Sequence, residues 1–428
     1  MQFQALFSGA GSSRVHASSM ENMLRCITWY CSEQLYNVID LGAMNVNGSY
    51  RSLFPAHINY VGIDLEPGPG VDIVLKDAYK LPVEDSSADL VMSGQMLEHC
   101  GQFWRLFSEI ARVLKPEGLA FMIAPSAGPV HRYPVDCYRF HPDAYQALAD
   151  WSGLKLVHSW TDARGPWQDS VGVFQKNGDL QTIKEPRAMK IEHNYRQEPS
   201  PDPAVEVQVG ERHYLDVLRD LHALIRPGAY LEIGARKGAS LRLSEAFSIA
   251  IDPDPHPELD ASGPNIKLYR CTSDDFFFFY GASVIPHPVN LAFIDGMHLA
   301  EYVYRDFMNV EQVMDPDGVI VVDDILPNHP LQATRRRQSQ VWMGDVWRFA
   351  EFLEQKRPDL RLTWFDAKPS GLLVISNLNP KCRVLLDDYN MDMRQLADGV
   401  DTPVPLHILK RERAVSATFP NLRLAVGK

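Results

Sequence analysis

Several features that would set this chain apart from ordinary globular proteins are missing from its sequence. No run of roughly 18 apolar residues occurs, so we expect no membrane span. The N-terminus lacks a basic region followed by an apolar region, which is the pattern of a secretory signal. The six cysteines are scattered and form no CxxC pair, which is typical of the reducing cytosol. Together these absences predict a cytoplasmic protein.

Positive charge is also scarce. The 42 lysines and arginines are outnumbered by 54 aspartates and glutamates, which gives a net charge of −12 at pH 7. No basic stretch compensates for this balance, so we expect no nucleic-acid partner. At 428 residues the chain is long enough for two domains of ordinary size.

The first half begins like a doubly wound nucleotide-binding fold. A predicted strand, Asn37–Leu41, runs into a turn that starts at Gly42, and a second predicted strand, Asn59–Ile63, ends beside Asp64. An acidic residue at that distance from the turn can accept hydrogen bonds from ribose hydroxyls. The G-x-G-x-x-G run of a dinucleotide site is missing, so this pattern alone does not choose the nucleotide.

Three later segments favour one nucleotide cofactor. VDIVLKDAYKLP, DSSADLVMSGQMLEH and FWRLFSEIARVLKPEGLAFMIAP follow one another between residues 71 and 125. Together with the turn they resemble class I S-adenosylmethionine-dependent methyltransferases of the general small-molecule and glycan type. The resemblance implies that S-adenosylmethionine binds to this half. It implies four cofactor-binding residues: Asp40, Gly42, Asp64 and Asp77.

The glycine turn departs from the family pattern D-x-G-x-G-x-G. Met44 stands at the second glycine, whose missing side chain normally lets the backbone approach the cofactor. The pair Asn47 and Gly48 is a candidate for an equivalent turn. A degenerate scaffold domain is the alternative for this half.

The loop after the fifth predicted strand carries candidate catalytic residues for the first half. His131 or Asp136 can take a proton from a hydroxyl or amine of an acceptor. The alternative is an internal ion pair between Asp136 and Arg139 that fixes the loop.

The nucleotide pattern restarts in the second half. A strand at Ala229–Ile233 leads into a turn with two glycines, and the next strand ends at Asp252. The form E-I-G-x-x-x-G-x-S resembles the first motif of metal-dependent methyltransferases. The resemblance implies six cofactor-binding residues: Glu232, Gly234, Gly238, Asp252, Ser273 and Asp274.

Three carboxylates follow two later strands of the second half. Asp295 comes after the apolar run AFI, and Asp323 and Asp324 come after the β-branched run Val319–Val322. Since the carboxyl ends of such strands form the ligand-binding edge of an open sheet, these carboxylates are expected to face one crevice. They repel one another unless a cation lies between them, and hard oxygen ligands suit Mg²⁺ or a similar divalent ion.

The wording of these strand ends carries a second resemblance. F-I-D at one end and D-D at the next resemble the metal-dependent O-methyltransferases of the catechol type, and I-D-G-x-H at Ile294–His298 resembles the macrocin-type sugar O-methyltransferases. The resemblance implies that Asp295, Asp323 and Asp324 are metal ligands and that His298 is a catalytic general base. The alternative is that the aspartates cap turns and that His298 only begins a helix.

The next segment has two interpretations. Arg335, Arg336 and Arg337, with Trp342 and Trp347, are suited to a lid over an acidic or glycosidic acceptor. A solvated charge run on a loop is the alternative.

We therefore predict an α/β protein with two Rossmann-like doubly wound sheets, the class I methyltransferase fold, in tandem. The predicted parts are a first domain at 1–185, a linker at 186–207, a second domain at 208–380 and an extension at 381–428 that packs across the joint or makes a homo-oligomer contact. The resemblance implies O-methylation of a small-molecule or glycan acceptor. The alternatives are one catalytic domain beside a binding or assembly module, or a metal-dependent hydroxylase or hydrolase on the same fold.

Overall fold

The computed structural model describes residues 16–46, 48–186, 202–285 and 288–428. The chain forms two compact units, one made of 1–184 with 383–398 and the other of 185–382 with 399–428. Most of the predicted linker, residues 187–201, lies outside the described residues, as does the predicted Asn47 turn position. Within the described ranges, every helix is too short or too polar to cross a membrane.

The first unit is built on a seven-stranded sheet. Its strands are β1 (Asn37–Leu41), β2 (Asn59–Asp64), β3 (Ile73–Val74), β4 (Ala88–Gly94), β5 (Leu114–Pro125), β6 (Lys155–Thr161) and β7 (Asp169–Gln175). Their order across the sheet is β3-β2-β1-β4-β5-β7-β6, and β7 runs antiparallel to both of its neighbours. The helices in this part of the chain are α1 (Ala17–Tyr30), which precedes β1, α2 (Phe103–Val113), which precedes β5, and α3 (Pro142–Ser152), which precedes β6.

The second unit repeats this architecture. Its strands are β8 (Arg212–His213), β9 (Ala229–Ile233), β10 (Phe247–Ile251), β11 (Ile266–Tyr269), β12 (Val289–Ile294), β13 (Met314–Asp323), β14 (Arg361–Phe365), β15 (Ala367–Lys368) and β16 (Leu372–Ser376). The main sheet has the order β11-β10-β9-β12-β13-β16-β14, while β8 and β15 form a separate pair.

The remaining helices divide between the units. Those of the second unit are α4 (Tyr214–Ile225), α5 (Ser273–Phe279), α6 (Ala300–Glu311), α7 (Val346–Lys356), α10 (Leu406–Leu409) and α11 (Phe419–Ala425), whereas α8 (Val384–Asp387) and α9 (Tyr389–Leu396) belong to the first. Short 3-10 helices include Leu97–His99, directly after β4.

The two sheets confirm the predicted tandem of doubly wound α/β folds. In each, the strand order reverses between the first strand and the fourth, and the register pairs Leu41 with Ser93 and Ile233 with Ile294. The carboxyl ends of both strands therefore meet at one edge, which is where such folds bind ligands. The central strands are buried on both faces, as their apolar sequences predict.

Some element boundaries differ from the prediction. The spacing of apolar residues from Leu299 to Met314 predicts one face of a helix, yet α6 ends at Glu311 and Met314 opens β13. The composition of residues 315–318 predicts a turn, and in the structure they form an unpaired insertion within the bounds of β13: Met314 pairs with Val289 and Val319 with Leu291. The small and polar residues up to Ser19 predict a weakly ordered N-terminal segment, yet α1 begins at Ala17.

A buried charge network ties α6 to α7 in the second unit. Arg357, which is 1% exposed, donates to Glu311 Oε2 at 2.7 Å and Oε1 at 2.9 Å. It also donates from Nε to Asp359 Oδ1 at 2.9 Å. A buried ion pair of this kind adds little over an apolar contact, but breaking it leaves an uncompensated charge inside the protein.

We predict that Arg357→Met lowers the free energy of unfolding of the second unit by about 3–5 kcal/mol, because Glu311 keeps its buried charge without a cation. Urea denaturation of the full chain, followed by circular dichroism, measures the shift. Arg219→Met is the control, since Arg219 pairs with Asp216 on the surface, and its transition is expected to match that of the parent. Equal midpoints for the two variants would contradict the prediction.

Candidate functional site

The glycine turn after β1 has the geometry of a cofactor loop. Gly42 adopts φ +79°, which favours glycine, and its N–H donates to Ile63 O at 2.9 Å. The N–H of Met44 donates to Asp64 Oδ2 at 3.0 Å. Met44 therefore does not break the turn, and the predicted ribose-binding carboxylate of Asp64 lies directly beside it.

The turn after β9 repeats these contacts. Gly234 adopts φ +87° and its N–H donates to Ile251 O at 2.9 Å. The N–H of Arg236 donates to Asp252 Oδ2 at 2.7 Å, as Met44 does to Asp64. A Cβ on Gly234 would lie 1.9 Å from the carbonyl oxygen of Asp295, so only glycine fits. The predicted cofactor turn of the second unit is thus in backbone contact with a predicted metal ligand.

An acidic residue is buried under each turn. The hydroxyl of Tyr60 donates to Asp40 Oδ2 at 2.5 Å, and that of Tyr230 donates to Glu232 Oε2 at 2.8 Å. Burial raises the pKa of Asp40 to about 7 and that of Glu232 to about 8, against the opposing effect of these hydrogen bonds. Each buried acid is thus held by the hydroxyl of a tyrosine that lies in a strand of the same sheet.

The other predicted cofactor residues lie in loops or at the start of a helix that follow strands of the two sheets. Asp77 is exposed after β3, and Gly238, with φ +70°, closes the turn after β9. Ser273 and Asp274 open α5, where Asp274 Oδ1 lies 3.0 Å from Nε of Arg305. The ion pair with Arg305 holds the start of this helix in place.

Asp295, His298 and Asp324 converge at the carboxyl ends of β12 and β13. One ligand atom from each lies within 4.8 Å of the others. His298 Nδ1 is 2.8 Å from Asp324 Oδ2, and His298 Nε2 is 3.4 Å from Asp295 Oδ1. The structure thus brings together three of the four residues predicted for this centre.

Asp323 is oriented differently from the other predicted ligands. Its Oδ1 accepts hydrogen bonds from the hydroxyl of Ser370 at 2.6 Å and from the N–H of Asp324 at 2.8 Å. These bonds hold the backbone where β13 ends. Asp323 therefore orients the backbone of Asp324. His298, and not Asp323, is the third side chain that lies beside the carboxylates of Asp295 and Asp324.

The backbone of this cluster is strained. His298 adopts φ +56° and Asp324 φ +66°, in the left-handed region that ordinary residues rarely occupy. A Cβ on Gly344 would lie 1.7 Å from the carbonyl oxygen of His298, so the loop closes over the histidine only with glycine there. Strain of this kind persists where the surrounding structure enforces it, which is common at functional sites.

Trp342 fixes the ring of His298. The two rings are stacked with centroids 5.3 Å apart and an interplanar angle of 10°. The carbonyl oxygen of Trp342 also lies 2.9 Å from His298 Nδ1. Neither Trp342 nor Gly344 was predicted in these roles, because both contacts join positions some 45 residues apart in the chain.

Arg335 fits neither of the two predictions for its segment, which are a lid over the acceptor and a solvated run of charges. Its side chain is 11% exposed and pairs with Glu301 and, at 2.7 Å, with Asp345. Asp345 Oδ1 accepts in turn from the N–H of Ala300 at 2.8 Å, at the start of α6. An arginine committed to two buried carboxylates cannot be a solvated charge or move freely as a lid, so it fixes the loop around His298. Only Arg336 in the predicted run is exposed.

In the first unit, Asp136 forms the predicted ion pair with Arg139. Arg139 donates to Asp136 Oδ1 at 2.6 Å and to Oδ2 at 2.9 Å. The guanidinium, opposed by burial, holds the pKa of Asp136 well below its usual range. Such a carboxylate is a poor proton acceptor. His131 lies beside it, with Nδ1 3.3 Å from Asp136 Oδ2.

Residues 40–122 match one family described as a methyltransferase domain, and residues 231–325 match a second family with the same description. Each half of the chain therefore contains a segment that matches a methyltransferase domain. The predicted tandem is thereby confirmed, while its glycan and metal-dependent subtypes stay predictions.

Proteins similar to parts of the chain carry related names. An uncharacterized methyltransferase of Mycolicibacterium gilvum (strain PYR-GCK) is 31% identical over 115 residues, which are 24% of this chain and 44% of that protein. Phthiotriol/phenolphthiotriol dimycocerosates methyltransferase 1 of Mycobacterium ulcerans (strain Agy99) is 39% identical over 80 residues, which are 16% of this chain and 28% of that protein. The chain spans less than half the length of these curated relatives.

Two solved structures illustrate the structural similarity. A SAM dependent methyltransferase from Archaeoglobus fulgidus has a TM-score of 0.32 and 15% identity, covering 38% of this chain and 95% of its own. The 1,6-didemethyltoxoflavin-N1-methyltransferase of Burkholderia thailandensis, solved with S-adenosylhomocysteine, has a TM-score of 0.32 and 14% identity, covering 38% and 80%.

The carboxylates of Asp295, Asp323 and Asp324 in the second unit repel one another. Burial, and then the charge of Asp324, raise the pKa of Asp295, and burial with both neighbouring carboxylates raises that of Asp323. Although burial opposes it, Asp324 and Asp295 hold the pKa of His298 well above its usual range. The carboxylates are thus arranged to stabilise a cation between them.

We predict that Glu232→Gln changes the pH dependence of stability in the second methyltransferase domain. Below the pKa of the unfolded state, near 4.5, Glu232 is protonated in both the folded and the unfolded protein. Between that pH and the folded-state pKa of about 8, Glu232 ionises in the unfolded protein but stays protonated in the folded protein. The free energy of unfolding of the parent therefore falls as the pH rises through this range. Glutamine removes this loss, so the variant gains on the parent between pH 5 and 8 by a few kcal/mol, at ~1.4 kcal/mol per pKa unit.

Thermal or urea unfolding at pH 5, 6.5 and 8 measures the difference between the two proteins. The exposed Glu258→Gln is the matched control and is expected to follow the parent at every pH. A constant difference between Glu232→Gln and the parent would show that Glu232 is already ionised in the folded state.

Proposed function

We propose that this protein is an S-adenosylmethionine-dependent methyltransferase whose second domain uses a divalent ion, Mg²⁺ or similar, to O-methylate a sugar or another polyhydroxylated small molecule. The observation that carries the proposal is the contact between the turn at Gly234 and the carbonyl of Asp295. It joins the expected cofactor loop to the expected metal ligands without an intervening residue.

The residues of the second domain fit a divalent ion. Asp295 and Asp324 offer two carboxylates, each with an oxygen within 4.8 Å of the other's, and two like charges at that distance favour a cation between them. Ser370 and the N–H of Asp324 occupy one oxygen of Asp323, so that residue contributes at most its second oxygen. Carboxylate oxygens are the ligands that Mg²⁺ prefers.

The chain's own residues supply positioning in this proposal. The carboxylate of Asp252, oriented by the N–H of Arg236, holds the ribose of the cofactor, whose methyl group is already activated for in-line displacement. A divalent ion bound to Asp295 and Asp324 would lower the pKa of an acceptor hydroxyl and fix its oxygen.

His298 is the residue that receives the acceptor proton. It lies between Asp295 and Asp324, which retain its own proton as long as their charges are not engaged by a cation. Trp342 and Gly344 keep its ring in this position, so the proton acceptor does not depend on a mobile loop. The glycan or polyhydroxylated acceptor itself is supported by the resemblance at Ile294–His298 and not by a contact in the structure.

We predict that Asp64→Ala and Asp252→Ala each weaken cofactor binding in their own domain. Each loses a carboxylate placed for two charge-assisted hydrogen bonds to ribose, worth about 2–3 kcal/mol, or ~30–150-fold in Kd. Titration calorimetry with S-adenosylhomocysteine is expected to show two binding events in the parent and one weakened event in each variant.

Asp260→Ala, an exposed aspartate after β10, is the matched control and is expected to bind like the parent. A single binding event in the parent would replace the tandem-enzyme proposal with one catalytic domain beside a binding or assembly module. Tight binding by folded Asp252→Ala would remove that residue from the cofactor site.

We predict that Asp324→Ala lowers the number of Mn²⁺ ions bound per chain by one, because it removes one of the two carboxylates that face each other in the centre. Mn²⁺ is the probe, counted by electron paramagnetic resonance of the free ion. Asp317→Ala, an exposed aspartate of the same strand, is the control and retains the full count. An unchanged count in folded Asp324→Ala would exclude the proposed metal centre.

A further inference from the structure

A second cluster of ligand side chains lies in the first methyltransferase domain. Glu98 and His99 belong to the 3-10 helix directly after β4, and His131 belongs to the loop after β5. Glu98 Oε1 is 3.6 Å from His99 Nε2 and 3.9 Å from His131 Nε2. One ligand atom from each of the three residues lies within 4.8 Å of the others.

Glu98 is a buried carboxylate of this cluster whose two oxygens have no hydrogen-bond donor among the described residues. Its side chain is 0% exposed. A buried carboxylate without donors is costly, and such groups normally pair with a cation or coordinate a metal. Both histidines approach the same oxygen, Oε1, so the unsatisfied atom faces the centre of the cluster.

The two histidines are oriented as metal ligands are. His99 Nδ1 lies within hydrogen-bond distance of the carbonyl oxygen of Val135, which fixes the proton on Nδ1 and leaves the lone pair on Nε2. His131 Nδ1 faces Asp136 Oδ2, whose carboxylate is held by Arg139. Metal-bound histidines generally present one nitrogen to the ion and the other to a carbonyl or carboxylate of the protein.

We propose that Glu98, His99 and His131 form a second metal site, which binds Zn²⁺ or a similar divalent transition ion and leaves one coordination position open. Two imidazoles and one carboxylate are a three-ligand set of catalytic zinc sites, whereas Mg²⁺ prefers oxygen ligands. Ligands ~2.1 Å from a tetrahedral ion stand ~3.4 Å apart, so the observed separations need to contract by only a few tenths of an ångström for the two pairs measured.

The cluster lies at the ligand-binding edge of the first sheet. A Cβ on Gly42 would lie 2.8 Å from the side chain of Met96, two residues before Glu98, so the cofactor turn borders the cluster. The indole of Trp167 forms a wall beside it, 4.4 Å from the ring of His131 between centroids. The chemical class that fits an open position here is a hydroxyl or carboxylate oxygen of the first domain's acceptor, or water.

This site gives Asp136 and His131 roles different from proton acceptance. His131 becomes a ligand, and Asp136 becomes a positioning residue that acts through the ring of His131. The site is separate from the centre at Asp295 in its residues, its domain and its donor chemistry, so it can be tested whether or not that centre binds a metal.

The test uses the full chain carrying Asp324→Ala, stripped of metal with a chelator and then titrated with Co²⁺ as a spectroscopic probe for Zn²⁺. One equivalent of Co²⁺ is expected to give the visible absorption of a four- or five-coordinate site with nitrogen ligands, and Zn²⁺ is expected to displace it. His99→Ala and Glu98→Gln are expected to abolish this absorption. Asp136→Asn is expected to weaken Co²⁺ binding by about 10–100-fold while retaining the absorption.

His57→Ala, an exposed histidine of the same domain, is the matched control and is expected to titrate like its parent. Thermal unfolding of each variant confirms that the chain is folded, and Glu98→Gln keeps the shape of the side chain so that loss of Co²⁺ is not a packing effect. Failure of the folded Asp324→Ala chain to develop the absorption, or equal binding by His99→Ala, would overturn the proposal.

Discussion

The close approach of the first glycine turn to the chain leaving the neighbouring strand is the steric constraint on which both domains depend. In the second domain Gly234 leaves no room for a Cβ beside the carbonyl of Asp295, and in the first Gly42 is crowded by Met96. In each sheet the first strand leads into the cofactor loop and the neighbouring strand leads into the candidate reactive side chains. Because the two strands end in register, the loop and these side chains lie next to each other. Any side chain at the glycine would separate them.

Buried carboxyl groups recur around this constraint. Asp40 and Glu232 lie under the turns with their pKa raised by burial, and a tyrosine hydroxyl donates to each of them. Each acid is thus solvated by the protein in place of water. A buried acid two residues before the first glycine is the same in both domains, although the two turns differ in sequence after the shared Gly-Ala pair at 42–43 and 234–235.

The sequence predicted the fold because its signals are local. The runs at Asn37–Leu41 and Val319–Val322 mark buried strands, and glycines mark the turns that follow them. The ends of elements were less predictable. Strand β13 begins at Met314, before the Asp315–Gly318 segment, which has the composition of a turn and has no partner on β12. Local composition cannot show that pairing with a neighbouring strand continues past such residues.

The candidate sites were predicted only where one short segment contains them. Asp295 and His298 lie three residues apart, and Asp324 follows a recognisable strand, so their meeting could be expected. The partners of Arg335 are at positions 301 and 345, and the histidine that approaches Glu98 is 33 residues away. These contacts depend on how the loops fold over the sheet edge, which no periodicity records.

The left-handed backbone at Asp324 also bears on which amino acids this position can accept. Aspartate and asparagine tolerate φ +66° better than most residues, and glycine tolerates it freely, whereas glutamate, leucine or a β-branched residue would strain the end of β13. Of the tolerated types, only aspartate and asparagine carry a side-chain oxygen. The backbone conformation therefore limits the residue types at position 324 independently of metal binding. In a related protein that keeps the fold but has lost the ligand, we expect glycine at this position.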